Sequence, residues 1–189
     1  CSGTAFSFSA SNLGFQAATT FTWNAPTGTG FTGGVSNAVA SSSVTGNLTL
    51  TGAQTTATYI VIASCTIDTF LLRVTLAPTS VGGTASATAS SLCSGATTTI
   101  TLSGSTGTIQ WQQSADGSSG WANVTGGSGA TTATYTTPAL TSSTFYRAVV
   151  TSGTCASANS STASVTVSPT SVGGTATATA AAICSNTST

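Results

Sequence analysis

The chain has 189 residues, enough for two small domains, and only four charged side chains: Asp68, Asp116, Arg73 and Arg147. With no His there is no Ser/His/Asp or Cys/His nucleophile system, and with two Arg and no Lys nothing neutralises a run of phosphates, so enzymes of that kind and nucleic-acid partners are excluded. No apolar run nears the roughly 20 residues of a membrane helix, and recurrent Val, Ile, Thr and aromatic residues set the chain apart from disordered ones.

In chain order, Thr4–Ser9 alternates with Phe6 and Phe8 on one face, and Thr19–Asn24 alternates with Phe21 and Trp23 together; both read as half-buried strands. The stretch 25–34, rich in Pro, Gly and Thr, reads as a loop. Ser43–Thr51 carries Leu48 and Leu50 in phase. Thr58–Ala63 and Thr66–Leu76 follow as strands about a turn at Ser64-Cys65, the second with Phe70, Leu72, Val74 and Leu76 in phase. Further on, Thr84–Ser90, Thr97–Ser103, Thr108–Gln113, Trp121–Val124, Thr131–Thr137, Phe145–Thr151 and Ser161–Ser168 read as seven strands, with turns at Gly104–Gly107 and Asp116-Gly117. No amphipathic helix interrupts them.

The segment Pro78-Thr-Ser-Val-Gly-Gly-Thr84 returns unchanged as Pro169-Thr-Ser-Val-Gly-Gly-Thr175, and a Cys-Ser pair follows each copy; Val81 and Val172 stand 91 residues apart, as do Cys93 and Cys184. A period of that size marks a tandem array. The expected organisation is a module over 1–77, a second over 78–168, and the first strand and junction of a third over 169–189. The fold class is all-β, tandem immunoglobulin-like β-sandwich domains. The chain reads as a piece of something longer, since it opens without Met and stops inside a repeat. Cys1-Ser2-Gly3 matches an acylated lipoprotein terminus by letter, but the same triplet recurs at Cys93–Gly95, so the structural reading is kept.

Ile109-Gln-Trp-Gln-Gln113, Ser118-Ser-Gly-Trp-Ala-Asn-Val124, Ala133-Thr-Tyr-Thr-Thr-Pro-Ala-Leu140, Phe145-Tyr-Arg-Ala-Val-Val150 and Ser152-Gly-Thr-Cys155 resemble the Ig-like repeats of large secreted surface proteins of Bacteroidota. Cys1-Ser-Gly-Thr-Ala-Phe6, Phe21-Thr-Trp-Asn-Ala-Pro26 and Tyr59-Ile-Val-Ile62 resemble the PKD-like repeats that alternate with them; gliding adhesins are among the members. The resemblance covers nearly the whole chain. It implies a β-sandwich at the cell surface or outside the cell, and leaves the ligand open. Within the Ig-like pattern Trp111 takes the place of the core Trp, Tyr146 that of the corner Tyr, and Ala148 that of the second inter-sheet Cys.

Five Cys without His argue for disulfides in an oxidising compartment rather than for metal. Three pairings are open. One bridge per module joins Cys1 to Cys65 and Cys93 to Cys155, leaving Cys184 for the next unit. It meets the objection that Cys93 and Cys155 fall at opposite ends of an Ig sandwich, about 20 Å apart, whereas a disulfide needs Cα atoms within about 7 Å. A bridge between modules joins Cys1 to Cys155 and leaves Cys93 for the following unit. A third scheme joins Cys65 to Cys93 and Cys155 to Cys184.

Among other candidates, two scattered Asp make neither an acid–base pair nor a calcium site, so no catalytic residue, cofactor or metal is expected. Gly28-Thr-Gly30-Phe-Thr-Gly33 matches a dinucleotide-binding string by letter but precedes no helix. Thr175, Thr177 and Thr179 form a Thr row too short for an ice-binding face, and the sequons at Asn47, Asn123, Asn159 and Asn186 read as chance matches in a Ser/Thr-rich chain. Trp23 and Trp121 are core residues first and sugar-stacking surfaces second. The function expected is a structural and adhesive repeat of an extracellular or cell-surface filament. Its partners are neighbouring copies of itself, with surface glycans as further candidates. A carbohydrate-binding or spacer module of a secreted enzyme, and an ice-binding surface protein, are the alternatives.

Overall fold

A computed structural model describes residues 1–65 and 69–177. Asp68 and residues 178–189 of the expected third-module stretch, with Thr179, Cys184 and the Asn186 sequon, lie outside them. The chain folds as two β-sandwiches in series, each with its own apolar core.

The first sandwich holds β1 (Ala5–Ser9), β2 (Phe21–Trp23), β3 (Phe31–Gly33), β4 (Asn37–Ser41), β5 (Ser43–Leu50), β6 (Thr55–Ala63) and β7 (Thr69–Leu76), with a short 3-10 turn at Ser11–Leu13. One sheet runs β1-β5-β3, the other β4-β2-β6-β7, every pairing antiparallel. Alternation along each strand sets the faces. In β7, Leu72 and Leu76 are buried and Phe70 and Val74 half-buried, while Leu71, Arg73 and Thr75 face water. β6 buries Ala57, Tyr59, Val61 and Ala63 in the same phase. Phe15, Phe21 and Phe70 close one end of this core with ring centres 5.3 to 6.2 Å apart.

The second sandwich holds β8 (Thr84–Ala87), β9 (Ser91–Cys93), β10 (Thr99–Ser103), β11 (Thr108–Ser114), β12 (Ala122–Asn123), β13 (Thr134–Thr136), β14 (Thr144–Thr151), β15 (Ala158–Asn159) and β16 (Ala163–Ser168). The smaller sheet runs β13-β10-β8, the larger β12-β11-β14-β16-β9, with β15 beside β14. The leading strand divides between the sheets: β8 pairs antiparallel with β10, then β9 pairs parallel with β16. This arrangement is immunoglobulin-like. Trp111 on β11 faces Ala148 on β14 in direct register, both fully buried. The Trp111 indole N–H donates to the Thr132 carbonyl at 2.8 Å, which satisfies its one polar atom.

Four strands depart from the expected reading. The 25–34 loop contains β3, and β4, β9 and β15 had no expected counterpart. All are two to five residues long and are made of Gly, Ser, Ala or Asn as much as of strand-forming residues, so pairing with a neighbour defines them. Tyr146 is also corrected. Its ring is in the expected core place, but its hydroxyl finds no partner, so the backbone bond of a corner Tyr is missing. The Thr144 hydroxyl donates instead to the Ser142 carbonyl at 3.1 Å.

Candidate interaction site: the junction between the modules

The junction begins where β7 ends. Leu76 and Ala77 are buried, and Pro78 stops the strand from continuing. From the first module, Ser2 donates its backbone N–H to the Ala77 carbonyl at 2.9 Å, and its hydroxyl accepts the Leu50 N–H at 2.9 Å. From the second, the Ser152 N–H donates to the Ser80 hydroxyl at 2.9 Å. Val81 and Thr106 exchange both backbone bonds, at 3.2 and 3.0 Å, and the Ser161 N–H donates to the Gly83 carbonyl at 3.1 Å. The two glycines of the repeated segment have distinct reasons. A Cβ on Gly82 would fall 1.9 Å from the Asn159 carbonyl oxygen, and Gly83 sits at φ +75° with the Ser103 carbonyl 2.3 Å from its would-be Cβ.

A disulfide between Cys1 and Cys155 closes this junction, with Cα atoms 5.2 Å apart across 154 residues of chain. Cys1 stands just before β1 in the first module, and Cys155 lies in the loop after β14 in the second. The bridge therefore joins modules, and it overturns the pairing of Cys1 with Cys65 and of Cys93 with Cys155. The scheme joining Cys65 to Cys93 and Cys155 to Cys184 falls as well. Cys65 and Cys93 are exposed and unbridged among the described residues.

The two expected stacking residues part company. Trp23 is 5 % exposed and donates its indole N–H to the Val35 carbonyl at 3.0 Å, so it belongs to the core and offers no ring to a sugar. Trp121 is half-buried, and the Arg147 guanidinium lies 4.3 Å from its ring centre. Gln112 holds that guanidinium by its side-chain oxygen, at 3.1 Å to Nε and 3.0 Å to Nη2. One face of Trp121 is thus occupied from within. Asp116 caps a turn. Its carboxylate accepts from the Ser119 hydroxyl, the Ser119 and Ser118 N–H groups at 2.7 and 2.8 Å, and the Ser114 hydroxyl at 2.9 Å. These bonds, the Ser119 hydroxyl foremost, hold the acid well below the usual carboxylate range. Every partner of Asp116 is local, so it has a structural task here. Among the described residues no three His, Cys, Asp or Glu side chains gather as a metal set, and no helix is long and apolar enough to cross a membrane.

One further surface was not legible in the sequence. At the end of the first module remote from the junction, a cleft of about 440 Å³ is lined by the loop between β1 and β2, at Gly14–Gln16, Ala18 and Thr19, and by Ser64-Cys65 after β6.

Residues 81–169 match a family described as a domain of unknown function, DUF8696. No curated protein matches the chain. Among solved structures, the crystal structure of domains 4 and 5 of the S-layer protein SbsC is similar at 20% sequence identity and a TM-score of 0.24, covering 79% of this chain and 70% of that one.

Proposed function

We propose that this chain is a length of a tension-bearing structural and adhesive repeat from an extracellular or cell-surface filament. The observation that carries this reading is the Cys1–Cys155 bridge, which fastens two successive modules rather than the inside of either. The segment that seats the junction, Pro78–Thr84, is written a second time at Pro169–Thr175, which supports a joint repeated from module to module. A disulfide suits an oxidising compartment, and the resemblance to Ig-like and PKD-like repeats of Bacteroidota surface adhesins supports the same location. In a linear array each unit is stabilised by its neighbours, and a covalent staple at each joint keeps that contact under load.

Electron microscopy of the native material tests the reading. The expected result is a long thin fibre whose repeat is roughly two sandwich lengths. Isolated two-domain particles would overturn it.

A further inference from the structure

The larger sheets of the two modules are built on one pattern. Trp23 on β2 pairs with Val61 on β6 as Trp111 on β11 pairs with Ala148 on β14, and two residues before each partner stands a buried Tyr, Tyr59 and Tyr146. The outward faces differ. The second module sets Arg147 there, held by Gln112 and laid over Trp121. The matching places in the first module, one residue past each Tyr and each Trp, hold Ile60 and Asn24. Ile60 pairs directly with Leu71 of β7, and Ile62, opposite Thr69, lies diagonal to Leu71. Ile60, Ile62 and Leu71 are 37, 46 and 58 % exposed, so an apolar cluster meets water where its counterpart carries a guanidinium. Thr22, Thr58 and Thr69 surround it, and Arg73 is the one charged side chain of this sheet face among the described residues.

Beside Ile62, toward β4, lies a depression of about 300 Å³ lined by Thr22, Asn24, Ser36 and Ala38. Register sets it level with Leu71. Asn24 donates its backbone N–H to the Ile60 carbonyl at 3.2 Å, Ile60 pairs with Leu71, and Ser36 precedes Asn37, the partner of Trp23. Across the sheet order β4-β2-β6-β7, a protruding Leu71 therefore stands toward one edge and a depression toward the other. A two-fold axis parallel to the strands, between β2 and β6, lays β7 of each copy over β4 of the other and keeps the level along the strands unchanged. Leu71 of each copy then enters the depression of the other. Ile60 and Ile62 of both copies meet near the axis, and the two Arg73 side chains fall on opposite edges of the contact.

The size of the face fits such a pair. At about 4.8 Å between strands and about 3.4 Å per residue, four strands with nine residues in the longest present roughly 20 by 30 Å, so two copies together bury up to about 1,200 Å². That is the lower bound of specific interfaces, and a chain of zero net charge sets no long-range repulsion against it.

We propose that the outward face of β4-β2-β6-β7 pairs with the same face of a second copy about this two-fold axis. The contact is isologous and closes at two copies. It acts across the chain, whereas the tension-bearing reading concerns force along it, and it does not rest on that reading. Where both hold, the paired faces join filaments side by side.

The experiment uses the full chain under oxidising conditions, with its free thiols capped by iodoacetamide so that no disulfide links copies. Sedimentation equilibrium should show monomers and dimers with a Kd of roughly 10–500 µM, as suits a contact of this size, and nothing larger. Leu71→Lys, at an outward position, should weaken pairing at least about ten-fold and leave the unfolding midpoint unchanged. Ser36→Asp, in the depression, should weaken it as well. Mixing the two variants should restore a one-to-one dimer, because the new ammonium of one copy faces the new carboxylate of the other. A chain still monomeric at about 1 mM, well above that range, leaves the face to another occupant and overturns the pairing. So do assemblies larger than two, a dimer that Leu71→Lys leaves intact, or a mixture of variants that stays monomeric. Dimers in solution beside isolated two-domain particles in the native material remove the filament reading alone. Monomers in solution beside native fibres remove the pairing alone.

Discussion

Tyr59 and Tyr146 each carry a hydroxyl that burial leaves without a hydrogen-bond partner. Burial raises both phenols, and Tyr146, with Tyr135 adding to it, is pushed up to about 12 from an ordinary 10.0. A raised folded value means the ring's contribution is whole below pH 10 and declines as pH climbs from 10.0 toward about 12. Tyr146→Phe removes an orphaned polar atom and keeps the ring, so stability at neutral pH should stay within about 1 kcal/mol of the parent or rise. The same variant should decline less steeply between those two pH values. Denaturant titrations at both ends of the window check this, and a loss of several kcal/mol at pH 7 would reveal a partner for the hydroxyl. Asp116 works in the other direction. Its lowered pKa means its turn is held together at neutral pH and loosens only as pH falls through the ordinary carboxylate value of 3.8 and below. A side-chain NMR titration should find Asp116 still ionised where a free Asp is half protonated, and Ser119→Ala should move its midpoint back up.

At the scale of elements, β11, β12 and β14 make a small polar lattice on the second module's larger sheet. Gln112 on β11 holds Arg147 on β14, and Arg147 covers the ring of Trp121 at the entry to β12. Arg147→Ala should cost about 0.5–1 kcal/mol for the lost cation–π contact, with some packing loss added, and should shift Trp121 fluorescence toward that of an exposed indole. An unchanged emission spectrum would show that the contact does not persist in solution. Elements of this sheet also show what a sequence can and cannot announce. β11 and β5 alternate apolar residues with polar ones, and β14 and β7 keep apolar or small residues at every second position over eight, so period locates all four. β4 has only Val39 as a large apolar side chain and that residue faces water, so no inward period exists to detect. β9, of three residues, is set by pairing with the distant β16, and β15, of two, by pairing with β14 across the loop that holds Cys155. Trp111 was placed by its neighbours in sequence, whereas Trp23 and Trp121 could be told apart only once Val35 and Arg147 had been brought beside them. The cleft beside Cys65 stayed hidden because its walls, the loops after β1 and β6, carry no period at all.

At the scale of the whole molecule, the position of the bridge decides how the chain meets tension. Cys1 and Cys155 are 154 residues apart in sequence, and force applied at the two termini passes directly between them. All of the first module and most of the second then hang in a covalent loop outside the load path. Only the residues after Cys155 can be drawn out while the bridge holds. Closing so long a loop also restricts the unfolded ensemble, an effect worth roughly 2–5 kcal/mol where the native geometry is unstrained. The mechanical consequence is larger and more specific. At about 3.3–3.6 Å per extended residue, the loop withholds roughly 500–550 Å of contour length. Single molecules pulled by their termini should show only a short extension under oxidising conditions, followed by that additional length after dithiothreitol. Cys155→Ser should give the long extension without reductant, because one thiol is missing while both cores remain. Equal extension with and without reductant would mean that the two modules are not stapled in this way. A bridge inside each module could not produce this pattern, since it would leave the linker at Pro78 in the path of the force and shield two short loops in place of one long one.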